Sequence, residues 1–244
     1  MLRERASTKE RSRSKIRTLE IPMMHKGPVL LLIAAWMAIG LLAQPPAKPD
    51  VKAIFAKATA DLEKTGQAER AIHQGQKAPD FTLPDAKGHP VHLADLLKKG
   101  PVVLTFYRGG WCPFCNRQLK SYQDHLAEIR ALGAELVAVS PQLPDFTVST
   151  AEKDALTFPV LSDVGNKVAR TYGLVFRVPD AVIPIYRQFG VDLEKRNGDA
   201  SHELPMPGTY IIGRDGIVRL SYVQADYTKR LPVEDLLAGL RKIR

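Results

Sequence analysis

The chain is poor in cysteine: only two of its 244 residues are cysteine, and two residues separate Cys112 from Cys115. A structural zinc site needs four ligands, and no second Cys-x-x-Cys pair completes one. His89 and His92 are the other candidate ligands, although two histidines beside a turn are more often simply solvated. A redox dithiol is therefore favoured, and half a zinc site or an inert structural pair are the alternatives. A bridge closing so small a loop restrains the unfolded chain little, so stability is a poor reason to keep it.

The chain also lacks a basic patch interleaved with aromatic residues, although its net charge is +9. More than half of this excess lies in residues 1–27, where eight basic residues stand against three acidic ones. Nucleic acid is therefore not an expected partner. The composition, 45% apolar and 25% charged, is typical of one globular domain with an appendage. No internal repeat is visible.

One long uncharged run, residues 28–43, follows the basic head and precedes the proline-rich segment 44–49. This order predicts a secretory signal, with Met23 or Met24 as an alternative start. The run is either cleaved, or kept as an anchor in the inner membrane, or buried as a core helix, and it is short for a full span. The first two interpretations place the domain in the periplasm or another extracytoplasmic compartment. A dithiol there is oxidised at rest and needs a membrane-borne thiol reductase to recycle it.

The two cysteines lie where a strand is expected to hand over to a helix. Residues 101–107 are β-branched, aromatic and almost uniformly apolar, which predicts a strand buried on both faces. Gly109 and Gly110 end this strand, and Pro113 suits the first turn of a helix. Free N–H groups and the dipole at a helix start favour an anion, so we expect Cys112 to be the more exposed cysteine, with a lowered thiol pKa.

The rest of the chain predicts alternating helices and strands. We divide it into residues 1–43 (basic head and signal), 44–75 (linker and amphipathic helix) and 76–244 (the main domain). The expected elements are a helix at 51–62, a hairpin at 76–93, a helical turn at 94–97, a dithiol helix reaching Ile129, a strand at 135–140, a helix at 145–156, a strand at 158–163, a helix at 168–173, a hairpin at 210–220 and a last helix at 233–240. The first two strands of the main sheet should pair in parallel through a right-handed crossover. Residues 174–204 have no clear period and are interpreted as an insertion with a short helix near 185–189.

Three segments, Ala78–Phe81, Phe106–Cys115 and Pro207–Gly216, carry a family resemblance. With them the chain from Gln76 to Arg244 resembles the alkyl hydroperoxide reductase/thiol-specific antioxidant (peroxiredoxin-like) branch of the thioredoxin fold. The resemblance implies an α/β fold with a central mixed β-sheet flanked by helices, an N-terminal hairpin and an insertion before the last hairpin. It also implies a peroxidase that reduces hydrogen peroxide or organic hydroperoxides, without cofactor or metal, using electrons from a thioredoxin-like protein or a membrane-borne reductase.

The sequence departs from the family pattern at the site itself. Peroxiredoxins carry a P-x-x-x-T-x-x-C motif and an arginine on the opposite strand. Aligned on this motif, Arg108 replaces the proline, Cys112 the threonine and Cys115 the peroxidatic cysteine, while Pro207 falls at the arginine. The usual hydroxyl donor and second guanidinium are therefore expected to be missing. The resemblance also places Pro207 where thioredoxin-like proteins hold a cis proline facing the dithiol.

Two assignments of the attacking cysteine remain open. The family alignment gives Cys115, whereas electrostatics favours Cys112, because the stabilisation of an anion fades within the first helical turn. In both cases the second cysteine condenses the sulfenic acid to a Cys112–Cys115 disulfide. Arg108 is the candidate to lower the thiol pKa and to stabilise the leaving oxygen. The residues expected to shield the pair or to face a substrate or partner are Trp111, Pro113, Phe114 and Pro207.

Two further function classes fit the same residues. One is an exported thiol-disulfide oxidoreductase that acts on protein cysteines, and the other is a non-catalytic redox-sensing module.

Overall fold

Alternating strands and helices fill the computed structural model, which describes residues 49–243. In chain order the elements are α1 (Val51–Lys64), α2 (Gln67–Arg70), β1 (Thr82–Pro84), β2 (Pro90–His92), α3 (Leu93–Lys99), β3 (Val102–Phe106), α4 (Pro113–Asp124), α5 (Leu126–Ala131), β4 (Glu135–Ser140), α6 (Pro144–Lys153), β5 (Val160–Ser162), α7 (Lys167–Thr171), β6 (Val175–Arg177), α8 (Ile183–Gln188), α9 (Leu193–Asn197), β7 (Glu203–Pro205), β8 (Gly208–Ile212), β9 (Val218–Val223) and α10 (Val233–Lys242). The predicted signal or anchor at residues 28–43 lies outside the described residues. Between residues 49 and 243, no helix is both long and apolar enough to cross a membrane.

A five-stranded mixed sheet in the order β5-β4-β3-β8-β9 forms the centre of the fold. As expected, β3 pairs in parallel with β4. β4 also pairs in parallel with β5. β8 runs antiparallel to β3 and β9. The predicted central mixed sheet with flanking helices is therefore confirmed, as is the parallel pairing of its first two strands.

β3 lies in the middle of this sheet, and its five residues are all buried. Because successive side chains of a strand point to opposite faces, Leu104 and Phe106 join the core on one face, while Val103 joins the core on the other. The second face is covered by α4, α5 and α10, and the two cysteines belong to that cluster. The continuous apolar character of the strand therefore reflects burial on both faces.

The dithiol helix is shorter than its periodicity predicts. α4 ends at Asp124, and the helical run resumes in α5 after His125, whose φ of −106° interrupts the helix. The apolar spacing nevertheless continues across this break, since Leu119, Tyr122 and Ile129 are all buried in the same cluster. The periodicity therefore identified the buried face correctly and the continuity of the helix wrongly.

The predicted insertion, residues 174–204, has a structure of its own. β6 pairs antiparallel with β7 in a separate two-stranded sheet. In the sequence, α8 and α9 connect these two strands. The short helix expected near residues 185–189 is α8. Residues of this insertion form a small apolar cluster that includes Val178, Val182 and Tyr186.

α1 packs against the insertion through its apolar face. Ile54, Phe55 and Ala58 contact the insertion cluster. Gln67, in α2, also contacts the insertion, because its side-chain amide donates a hydrogen bond to the backbone oxygen of Val175 in β6 at 2.6 Å. The amphipathic helix upstream of the main sheet therefore belongs to the same compact unit, residues 49–243.

Candidate active site

The two cysteines lie at the start of α4, beyond the end of β3. Cys112 is the N-cap residue of the helix, and Pro113 occupies its first turn, as predicted. The cysteines are both free thiols and lie 3.1 Å apart. They therefore form a reduced dithiol within reach of a bridge.

Both cysteines are buried, and only a marginal difference remains of the greater exposure expected for Cys112. Its exposed fraction is 1%, and that of Cys115 is 0%. Trp111 and Phe114, both half-buried, pack against the cluster that contains the two sulfur atoms. The sequence predicts both the helix start at Cys112 and the shielding by Trp111, but it does not show that the burial of Cys112 is almost complete.

Two glycines let the chain turn sharply between β3 and the dithiol. Gly109 has a φ of +145°, a value that favours glycine. Gly110 donates its N–H to the side chain of Gln142 at 2.7 Å, and its carbonyl accepts from Asn116 at 2.8 Å. A Cβ at Gly110 would lie 2.1 Å from Oγ1 of Thr150. Contacts from three other segments therefore fix the loop that presents Cys112.

The two thiols have opposite pKa shifts. The pKa of Cys112 falls to about 5, chiefly because the Cys115 thiol hydrogen-bonds to its sulfur and because the charges of Arg108 and Arg230 attract a thiolate, in spite of burial. Burial raises the pKa of Cys115, and the neighbouring thiolate raises it further. Near neutral pH, Cys112 is thus the thiolate and Cys115 the protonated donor.

Arg108 is buried among three aromatic rings. Its exposed fraction is 3%, and its guanidinium carbon lies 4.2 Å from the ring centre of Tyr227, 5.1 Å from that of Trp111 and 5.6 Å from that of Tyr186. One guanidinium nitrogen, Nη2, donates to the hydroxyl of Tyr186. No carboxylate among residues 49–243 pairs with Arg108. The cation is therefore held by ring faces and a phenol oxygen, with the Cys112 thiolate as the negative charge on which it acts.

A second guanidinium, which the family alignment predicted to be missing, comes from another part of the chain. Arg230 lies between β9 and α10 and donates from Nη2 to Sγ of Cys115 at 3.4 Å. The backbone oxygens of Tyr227 and Lys229 accept from its Nη1 and fix its position. Sequence reasoning missed Arg230 because it follows Cys115 by 115 positions and lies in no recognisable motif.

The remaining predicted residues differ in how far they are buried. Pro207 is buried and precedes Gly208, which pairs with Phe106 at the end of β3 that leads to the dithiol. The cis form of its peptide bond stays a prediction. Phe114 packs edge-on against Tyr227, with ring centres 5.7 Å apart, while Pro113 is exposed.

The two histidines considered as zinc ligands lie on the β1–β2 hairpin. His89 contacts the carboxylate of Asp85, and His92 contacts the hydroxyl of Thr82. In the part of the chain that the structure describes, no three or more metal-binding side chains come together. The histidines do not assemble with the dithiol.

Comparison with known proteins connects this geometry to one family. The sequence model of the AhpC/TSA family matches residues 74–221. The chloroplastic peroxiredoxin Q of Sedum lineare is 32% identical over 151 residues, which are 62% of this chain and 69% of that protein. The chloroplastic peroxiredoxin Q of Arabidopsis thaliana is 34% identical over 151 residues. The chain covers about three fifths of the Arabidopsis protein and of most other similar curated proteins.

Solved structures give the same likeness. The crystal structure of peroxidoxin BcpB from Mycobacterium tuberculosis is 26% identical, has a TM-score of 0.56, and is matched over 71% of this chain and 99% of that one. The reduced 2-Cys peroxiredoxin of Plasmodium vivax, with 16% identity and a TM-score of 0.54 over 70% of this chain and 81% of that one, shares the fold. The expected thioredoxin-like architecture is therefore confirmed.

Proposed function

Because the chain belongs to the AhpC/TSA family, we propose that it is a peroxiredoxin-type thiol peroxidase that reduces hydroperoxides with Cys112 and Cys115. The observation that carries this proposal is the arrangement of the two sulfurs. A thiolate-forming cysteine, Cys112, lies 3.1 Å from a protonated one, Cys115, and the charges of Arg108 and Arg230 act on this pair.

In the first step the Cys112 thiolate attacks the terminal oxygen of the hydroperoxide. The S–O bond forms as the O–O bond breaks, so the sulfur is oxidised to a sulfenic acid and the substrate leaves as an alkoxide or hydroxide. This anion takes a proton from solvent and becomes an alcohol or water. The Arg108 guanidinium is the charge placed to stabilise the leaving oxygen as negative charge develops on it.

In the second step Cys115 attacks the sulfenic sulfur of Cys112. A disulfide forms, and the hydroxyl leaves with the thiol proton as water. Cys115 must lose its proton to attack, and the charge of Arg230 lowers its pKa against the effect of burial. An external dithiol, from a thioredoxin-like protein or a membrane-borne reductase, then supplies the two electrons that restore both thiols.

The burial of the dithiol supports a small substrate over a protein substrate. A disulfide in another protein arrives on two backbone segments, and Cys112 is only 1% exposed. A hydroperoxide group has two oxygen atoms and needs little room. This contrast favours peroxide reduction over the alternative of an exported thiol-disulfide oxidoreductase.

A single-turnover assay on reduced protein tests the proposal. Wild type should consume one equivalent of hydroperoxide and form the disulfide, Cys112→Ser should consume none, and Cys115→Ser should consume one and keep a sulfenic acid that dimedone traps. Activity retained by Cys112→Ser and lost by Cys115→Ser would reverse the two roles. Equal consumption by wild type and both variants would remove the peroxidase proposal, and insulin reduction in the same preparations tests disulfide exchange.

Export of the domain is a separate proposal, based on the apolar run at residues 28–43 and the basic residues before it. A fusion of residues 1–60 to an enzyme that folds only in an oxidising compartment should be active after export. A fusion that stays in the cytoplasm and is inactive would contradict export. If the chain is exported, a shortened chain released from the membrane indicates a cleaved signal peptide, and a full-length chain retained in the membrane indicates an anchor.

A further inference from the structure

A cavity of about 450 Å³ lies beside Arg108, between α1 and the insertion. This volume is within the usual range of about 300–1,000 Å³ for sites that hold small molecules. Arg108, Tyr186 and Tyr227 line it on the side of the dithiol. Its walls are apolar side chains of α1 and of the β6–α8 segment, among them Phe55, Ala58, Leu62, Phe176, Val178 and Val182.

Arg108 brings unused hydrogen-bonding capacity to this cavity. A guanidinium has five N–H donors, and in the described chain Arg108 uses only its Nη2 nitrogen, toward Tyr186. Its Nε is buried without a partner. A buried donor without a partner is costly, so the cavity suits a ligand with an acceptor oxygen at one end and an apolar body at the other.

The same residues connect the cavity to the nucleophile. The charge of Arg108 contributes to the low pKa of Cys112, and the Cys112 thiolate contributes to the raised pKa of Tyr227. Trp111, the residue before Cys112, stacks on the guanidinium at 5.1 Å. An oxygen held at Arg108 therefore binds the same guanidinium whose charge favours the Cys112 thiolate.

The charged groups at the cavity rim are already paired. Asp61 binds Lys57 and Lys64, and Arg177 binds Asp180 at 2.8 Å. The rim therefore offers no unpaired charge to hold a charged tail, and the interior favours an uncharged alkyl or aryl group.

From these observations we propose that the cavity binds the apolar body of an organic hydroperoxide and directs its peroxide group toward Arg108. The wall formed by α1 lies upstream of residues 74–221, the part of the chain that the family model matches. This proposal rests on the proposed peroxidase function. It predicts that apolar organic hydroperoxides are better substrates than hydrogen peroxide.

The test fills the cavity from α1 and uses a matched control on the same helix. Ala58 is half-buried and lines the cavity, whereas Ala56 is exposed. We expect wild type to have a higher kcat/KM for cumene hydroperoxide than for hydrogen peroxide. Ala58→Phe should lower the value for cumene hydroperoxide about tenfold, in line with the discrimination of apolar pockets, and should leave hydrogen peroxide within about twofold, while Ala56→Phe should change neither.

A binding measurement separates failure of the cavity from failure of the peroxidase. The alcohol product, 2-phenyl-2-propanol, should bind reduced wild type and Ala56→Phe in a calorimetric titration and should not bind Ala58→Phe. If wild type binds the alcohol but consumes no peroxide, the proposed function is wrong and the cavity proposal stands. Equal losses for both hydroperoxides, no loss for either, or unchanged alcohol binding would overturn the cavity proposal. If Ala58→Phe loses its thermal transition, Ala58→Leu repeats both measurements with a smaller side chain.

Discussion

The thiol of Cys115 is the largest single cause of the low pKa of Cys112, so its removal makes the sharpest prediction. Cys115→Ala deletes the donor that lies 3.1 Å from Cys112. A hydrogen bond to a charged group contributes about 1.5–3 kcal/mol, and one pKa unit corresponds to about 1.4 kcal/mol. The pKa of Cys112 should therefore rise by about one to two units, from about 5 to about 6–7.

The assay is the rate of Cys112 alkylation by iodoacetamide as a function of pH. Only the thiolate reacts, so the rate should rise with pH through the pKa and level off above it. The variant contains a single cysteine, so mass spectrometry reads the rate without ambiguity. Cys115→Ser is the matched control, because its hydroxyl keeps a donor at the same position and should hold the midpoint closer to the low value.

Two results would refute this reasoning. A midpoint that stays at about 5 in Cys115→Ala would assign the shift to Arg108, Arg230 and the helix start instead. A midpoint near that of free cysteine, about 8.5, in the wild-type protein would remove the thiolate altogether.

Three other changes test the surroundings of the dithiol. Tyr186→Phe removes the phenol oxygen that accepts a hydrogen bond from the buried Arg108 guanidinium. In peroxide-consumption assays kcat/KM should fall about tenfold, and in urea titrations the free energy of unfolding should fall by about 1–3 kcal/mol. No change in either quantity would contradict the role of this hydrogen bond. Arg230→Met removes the charge that lowers the pKa of Cys115, so more sulfenic acid should be trapped by dimedone during turnover, and wild-type trapping would argue against it. Gly110→Ala places a Cβ 2.1 Å from Oγ1 of Thr150 and should cost about 1–3 kcal/mol in unfolding free energy, part of which Thr150→Ala should restore.

Features that depend on neighbouring residues were predictable from the sequence. The almost uniformly apolar run of β3, the paired glycines after it and Pro113 at the first helical turn each have a local physical cause. The same holds for the β8–β9 hairpin, whose turn contains Gly216 with a φ of +78°. Pattern and turn chemistry were therefore enough to place the dithiol between a buried strand and a helix.

The surroundings of the dithiol depend on contacts between distant segments. Tyr186 follows Arg108 by 78 positions, and Arg230 follows Cys115 by 115. Neither residue belongs to a motif, and the insertion that carries Tyr186 has no periodicity from which its position could be derived. The family alignment correctly places no arginine at Pro207, but it does not show that the segment before α10 supplies another guanidinium, that of Arg230.

The burial of both sulfurs has a consequence for the catalytic cycle. A hydroperoxide can approach Cys112 with two oxygen atoms, but a protein reductant must bring its own sulfur, and the backbone that carries it, to the Cys112–Cys115 bridge. Cys112 is 1% exposed in the reduced form, and the half-buried rings of Trp111 and Phe114 pack over the cluster. If a protein dithiol recycles the bridge, these rings must move after oxidation, so the reductive half of the cycle needs a conformational change.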